Sequence, residues 1–350
     1  MEIRRRISYA AAIGEAQVQA MEKDENIFIC GLEADGEKGI FGTTVEPCKK
    51  FPHRVFDMPL CENGITGFGL GASLAGMRPI MVHARVDFLM LAMDQIVNHA
   101  AKWKFMTGNA FNTPMVIRTI IGRGKGQGAQ HAQALHSMFA GVPGLKVVMP
   151  ANAYDAKGLL ISAIEDNGPV IYIEHRFLHP LEEHVPEDYY RVPIGKAKTL
   201  IQGTDVTIVA LSHMVIEAQK AALELRKDNI FAEVVDLRTI KPIDEETVLN
   251  SVAKTGKLIV ADVGQKICGV GSEIVSLVLE NVFDFVDAPP VRIGLPDYPV
   301  PTAIPMEELY YPTWANIVSE ARRMMGKCGL DDKYLQTTKE REERDFQGPF

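Results

Sequence analysis

The chain is short of the features that define several large protein classes. Its 350 residues include five cysteines, Cys30, Cys48, Cys61, Cys268 and Cys328, an odd number with no C-x-x-C spacing. That excludes a disulfide frame or a zinc ribbon as the organising element and fits reduced thiols in a cytosolic-type compartment. No run of about 18 apolar residues occurs, and the basic start Ile3-Arg4-Arg5-Arg6 leads into an amphipathic stretch. Neither secretion nor membrane spanning is expected, and a cytoplasmic location is. Positive charge is scarce as well. Lys and Arg number 37 against 45 Asp and Glu, a formal net charge of -8, so no basic face is available for a nucleic-acid backbone.

Two glycine-rich stretches fall short of nucleotide loops. Gly67-Phe68-Gly69-Leu70-Gly71 lacks the third glycine of a dinucleotide fingerprint and lies in a helical pattern, where small residues permit close packing. Gly122-Arg123-Gly124-Lys125-Gly126-Gln127-Gly128 contains Gly-Lys, but Gly126 stands where a P-loop needs Ser or Thr. What remains is a basic loop directly after a strand, the place where open α/β sheets put ligand sites.

What is present is 47% hydrophobic residues, enough in a chain of this length for a large core and two domains. Helical and strand patterns alternate, which points to an α/β fold with a largely parallel sheet. Strands are expected near 27–31, 54–57, 80–83, 115–119, 146–149 and 170–173, and helices near 8–23, 65–75, 89–104 and 154–164. The alternation resumes with strands at 206–211, 232–237 and 258–261 and helices at 215–226, 244–254 and 271–279. The expected organisation is a first domain over 1–181, a polar proline-containing linker over 182–200, a second domain over 201–326 and a charged tail over 327–350.

Single residues are ambiguous on spacing alone. Glu62 follows the proline-bearing turn Asp57-Met58-Pro59-Leu60-Cys61 and opens a helical pattern. It reads either as a site carboxylate or as an acidic residue complementing the helix dipole. His131, after the glycine-rich loop, reads either as catalytic or as structural.

Taken in order, larger pieces carry more. Pro59-Leu60-Cys61-Glu62-Asn63-Gly64-Ile65-Thr66-Gly67-Phe68-Gly69 is followed by Met93-Asp94-Gln95-Ile96-Val97-Asn98 and then by Gln130-His131-Ala132-Gln133. Val142-Pro143-Gly144-Leu145-Lys146-Val147-Val148, Asp155-Ala156-Lys157-Gly158-Leu159-Leu160 and Val235-Asp236-Leu237-Arg238-Thr239-Ile240-Lys241-Pro242-Ile243 complete the series. Over residues 5 to 325 this resembles the β subunit of thiamine-diphosphate-dependent 2-oxoacid dehydrogenases, the E1 component, in its pyruvate, acetoin and branched-chain forms. The resemblance implies a transketolase-like pyrimidine-binding domain with a parallel sheet, joined to a transketolase C-terminal-like α/β domain.

It also implies roles. Glu62 matches the glutamate that bonds N1′ of the cofactor's aminopyrimidine, where a carboxyl group favours the imino tautomer that takes the C2 proton. Phe88 matches the aromatic residue stacked on that ring. His131 matches a histidine near the reacting carbonyl or the acyl-lipoyl step, able to donate to oxyanion charge. Ala163 and Asp166 match a potassium site seen in some members. The Gly-Asp-Gly…Asn motif that anchors the diphosphate through Mg²⁺ occurs nowhere in the chain. In two-chain E1 enzymes it belongs to the α subunit, so an E1 α partner in an α2β2 heterotetramer is implied, with a lipoyl E2 as acyl acceptor and a 2-oxoacid as substrate.

The departures suggest a more polar substrate. Val82-His83-Ala84-Arg85 stands where dehydrogenase members carry Glu and apolar or aromatic residues, and Ala132 stands where serine is usual. Arg85, Arg123 and Lys125 are therefore expected as substrate-binding groups, able to take a phosphate or second carboxylate. The alternative function is the β half of a split transketolase-like enzyme, moving a carbon unit from a 2-oxoacid or ketose to an aldehyde.

Overall fold

A computed structural model describes residues 5–122 and 126–330. Arg123 and Lys125, two of the expected substrate-binding groups, and most of the 327–350 tail lie outside the described residues. The chain forms two compact units, one of residues 5–121 and 138–194, the other of 122–137 and 195–330.

The first unit contains β1 (Arg6–Ser8), α1 (Tyr9–Lys23), β2 (Ile27–Gly31), α2 (Val45–Lys50), β3 (Val55–Asp57), α3 (Glu62–Leu74) and β4 (Arg78–His83). It continues with α4 (Val86–Leu89), α5 (Ala101–Met106) and β5 (Val116–Ile121). The short helix α6 (His136–Ala140) carries the chain back into it, followed by β6 (Lys146–Val148), α7 (Ala153–Glu165), β7 (Val170–His175) and β8 (Glu182–His184). Six of these strands form a parallel sheet in the order β6-β7-β5-β4-β2-β3. β2, β5 and β7 are buried along their whole length, which is why stretches such as 27–31 and 170–173 are apolar without alternating. At the end of β2, a Cβ on Gly31 would lie 2.2 Å from the Val82 carbonyl, so only glycine lets β2 and β4 approach there.

Two expectations change. The helix expected over 89–104 is a sequence of shorter pieces: α4, a 3₁₀ turn (Met90–Ala92), a π-helical segment (Asp94–Ala100) and α5. Close approaches accompany the change of pitch: Gly67 lies against Gln95, and a Cβ on Gly144 would be 1.9 Å from the Ala101 carbonyl. Within the stretch read as a linker, β8 pairs antiparallel with β1, Ile7 opposite Glu183. Its far end begins β9 (Lys198–Ile201) of the second unit.

The second unit adds β10 (Val206–Ala210), α8 (Met214–Leu225), β11 (Ala232–Asp236), β12 (Thr239–Lys241), α9 (Glu245–Thr255), β13 (Leu258–Gln265) and α10 (Val270–Val282). It closes with β14 (Val291–Leu295), α11 (Ile304–Tyr310) and α12 (Trp314–Met324). Its sheet runs β14-β13-β10-β11-β9, parallel except for β9. α9 shows why these segments are helical: Asp244 caps its start by accepting from the Thr247 amide at 3.4 Å, and Gly256 ends it at φ +69°. Among the described residues no helix is long and apolar enough to cross a membrane.

Inside the first unit lies a charged network without solvent access. Arg118 on β5 donates through Nε to Oε1 of Glu174 on β7 at 2.8 Å, and its Nη2 forms an ion pair with the same oxygen at 2.7 Å. Nη1 donates to Gln17 Oε1 of α1 and Nη2 to the Thr43 hydroxyl, both at 2.8 Å, and Glu174 Oε2 is 3.0 Å from His179 Nε2. Removing one partner strands the other charge in the interior. Arg118→Ala should therefore cost about 3–5 kcal/mol of stability in urea unfolding; a loss under about 1 kcal/mol would show that water reaches Glu174 in the folded chain.

Candidate active site

Parallel strands deliver their following loops to one edge of the sheet, where ligands of open α/β sheets bind. Three such loops matter here. After β2, the Glu33 amide donates to Asp57 Oδ1 at 2.7 Å; after β3, the Met58 amide donates to the same oxygen at 2.9 Å. Asp57 thus ties two loops together, a role its position at a strand end did not reveal. The turn after β3 then enters α3, whose first residue is Glu62, half-buried within the first turn. The positive end of the helix dipole favours a carboxylate there, so that part of the ambiguous reading holds alongside any chemical role.

One turn beyond Glu62, on the same face of α3, Thr66 Oγ1 lies 3.1 Å from Nε2 of His83. His83 ends β4 and is 4% exposed. Burial lowers its pKa from the ordinary 6.5 to about 4, so it is a neutral imidazole near pH 7. The visible signal was a histidine ending the buried run Pro79-Ile80-Met81-Val82. Beyond it, Arg85 precedes α4 and is half-buried. Burial lowers its pKa and the nearby Asp87 opposes that shift. Phe88, on α4, keeps 38% of its surface exposed. The edge after β3 and β4 therefore carries a carboxyl group, a neutral buried imidazole, a guanidinium and an open aromatic ring.

Among the expected site residues, the first unit holds Glu62 at the start of α3, and Arg85 and Phe88 at and within α4. His131 belongs to the second unit. Ala163 lies in the last turn of α7 and Asp166 caps it, donating its amide to the Ala163 carbonyl at 3.3 Å. The oxygens there already have partners. Arg78 Nη1 donates to the Ile164 and Asp166 carbonyls at 2.9 and 3.1 Å, and the Asp166 carboxylate pairs with Lys146.

The chain matches two family models, the transketolase pyrimidine binding domain over residues 5–180 and the transketolase C-terminal domain over 195–317. It is 42% identical to the acetoin:2,6-dichlorophenolindophenol oxidoreductase β subunit of Cupriavidus necator, covering 92% of this chain and 98% of that one. The corresponding subunit of Bacillus subtilis is 39% identical, over 93% and 99% of the two chains. The pyruvate dehydrogenase E1 component β subunit of Rickettsia felis is 39% identical, over 91% and 98%. A similar solved structure, described as a split gene transketolase in an inactive β4 tetramer, superposes with a TM-score of 0.76 at 26% identity, over 91% and 98%.

The environment of His83 has a measurable consequence. Because its folded pKa lies below the unfolded value, protonation favours unfolding. Its contribution to stability is complete above about pH 6.5 and declines as pH falls towards 4, by about 3 kcal/mol in all. His83→Gln should remove that share of the acid sensitivity in urea unfolding compared between pH 7.5 and 4.5. An unaltered pH dependence would mean that the imidazole titrates normally in the folded chain.

Proposed function

The chain belongs to the family of acetoin and pyruvate dehydrogenase E1 β subunits, built from the transketolase pyrimidine-binding and C-terminal domains, and on that premise we propose that it is the β subunit of a thiamine-diphosphate-dependent 2-oxoacid dehydrogenase. In this reading it works with an α subunit in an α2β2 heterotetramer and passes an acyl group to a lipoyl E2 partner. The observation that carries the reading is the placement of Glu62 and Phe88 on the helices that follow two parallel strands of one sheet, within a chain similar over its length to E1 β subunits.

These residues fit the pyrimidine half of the cofactor. The carboxyl group of Glu62 suits a ring nitrogen, and the half-open ring of Phe88 offers a stacking surface. When bound, thiamine diphosphate supplies the electron sink that decarboxylation of a 2-oxoacid needs. Glu62 holds the proton shared with N1′ of the aminopyrimidine. Phe88 orients the ring. His131 donates to the oxyanion that develops on the substrate carbonyl, or supplies a proton there. Arg85 binds a second anionic group of the substrate, with the charge of Asp87 nearby. We derive no step for a potassium ion at Ala163 and Asp166, since Arg78 and Lys146 engage oxygens of that same turn.

Partner and compartment follow the same reading. The diphosphate and its Mg²⁺ fall to the α subunit, because this chain has no Gly-Asp-Gly…Asn motif. Support for a partner comes from Leu60, Leu91, Phe105 and Met106 of the first unit, each more than half exposed. The five free cysteines suit the cytoplasm. The split transketolase reading is weaker, at 26% identity to that structure against about 40% to the E1 β subunits.

Two measurements test this. Calorimetry on the isolated chain should find thiamine diphosphate binding weak or absent even with Mg²⁺; tight Mg²⁺-dependent binding would overturn the need for an α subunit. In the assembled enzyme, Glu62→Gln should slow exchange of the cofactor C2 proton by about 10²–10⁴-fold. Unchanged exchange would assign proton handling to another group.

A further inference from the structure

The loop that carries His131 is held by the second unit at both ends and in its middle. At the near end, the Gly126 amide donates to Glu307 Oε2 of α11 at 3.0 Å, and Glu307 is only 4% exposed although it is a carboxylate. Gly128, at φ +67°, is pressed against Thr302; a Cβ there would lie 2.4 Å from the Thr302 hydroxyl. In the middle, Ala132 is buried with Leu295, Val300 and Tyr310, and the Tyr311 hydroxyl donates to its carbonyl at 3.5 Å. This apolar pocket suits an alanine next to His131 where serine is usual. At the far end, His136 Nε2 is 2.9 Å from Oδ1 of Asp262 on β13, with the ring fully buried. That oxygen also accepts from the Gly264 amide at 3.0 Å, and a Cβ on Gly264 would meet His136 Cε1 at 2.6 Å.

We propose that Glu307 and the His136–Asp262 pair are positioning residues, which fix the His131 loop on the C-terminal unit so that the imidazole meets the substrate carbonyl in one orientation. The proposal rests on the reading of His131 as the group acting on that carbonyl. Adhesion alone needs none of this polarity, because apolar side chains would hold a loop without burying a carboxylate. Buried hydrogen bonds instead fix register and direction, and they leave costs that simple packing avoids. Among the described residues, His136 Nδ1 and Asp262 Oδ2 have no hydrogen-bond partner. A residue that acts in only part of the reaction gains most from such fixing, since a displacement of about 1 Å can cost about 10²-fold in rate.

The test uses the α2β2 holoenzyme with pyruvate and an artificial electron acceptor. Three quantities are read: kcat and KM, exchange of the C2 proton, and amide hydrogen exchange across residues 126–136. Glu307→Ala should speed amide exchange in this loop at least about tenfold and lower kcat about 10–100-fold. KM and C2 exchange should stay within about twofold, because Glu62 is untouched. Glu307→Gln keeps an acceptor oxygen for Gly126 and should restore kcat to within about threefold. Should Glu307→Ala fail to assemble, His136→Leu makes the same test from the far end. A looser loop with unchanged kcat, an unchanged loop, or a joint fall of kcat and C2 exchange would overturn the proposal. His131→Ala with full kcat would instead sink the reading of His131 itself.

Discussion

Arg118 and Glu174 stand on neighbouring central strands with no access to water, and much of the first unit is organised around them. Burial pushes the Glu174 carboxyl group upward, but Arg118 and His179 outweigh it and the net shift is downward. The pair is therefore ionised, and each remaining donor must be met from elsewhere in the chain. Gln17 of α1 meets one and donates in turn to the Thr43 carbonyl at 2.7 Å; Thr43 meets another and donates to the Ile40 carbonyl at 2.6 Å. A helix, two strands and a loop remote in sequence thus satisfy one charge together. None can leave without stranding the others, which makes this part of the unit cooperative.

The candidate site lies at strand ends of the same sheet. Asp57 joins the loops after β2 and β3, and Gly31 permits β2 to meet β4 without a side chain between them. On this frame the chain places groups of different electrical character. Glu62 is half-open at a helix start, whereas His83 is sealed in and neutral. A partly exposed carboxyl group suits proton handling, and the buried uncharged imidazole, bonded to Thr66 one helical turn on, supplies polarity without charge.

Chemistry is divided between the two units in the proposed function. Cofactor activation is assigned to side chains of the first, and carbonyl handling to His131, which the second carries on a loop clamped by Glu307, Tyr311 and Asp262. The two tasks can then vary separately. Changes around Arg85 would alter what is bound, while changes around Glu307 would alter how the acting imidazole is presented.

Much of this was legible in the amino-acid order. Strand runs such as 27–31 and 170–173 are apolar because both faces of a parallel sheet are covered, and the helices between them show their own periodicity. The ordered motifs around Glu62, His131 and 235–243 sufficed for the family. Other features were decided only in three dimensions. The π-helical segment at Asp94–Ala100 goes with close approaches of Gly67 to Gln95 and of Gly144 to Ala101, which no local pattern encodes. Residues 126–137 join the second unit, where Glu307, Tyr311 and Asp262, each more than a hundred residues onward, bind Gly126, Ala132 and His136. Local order specifies periodicity and turn chemistry, which depend on a few neighbouring residues. The partner of a buried polar group depends on which distant segment the fold brings to it, and so Thr66 with His83, or His136 with Asp262, became visible only in the folded chain.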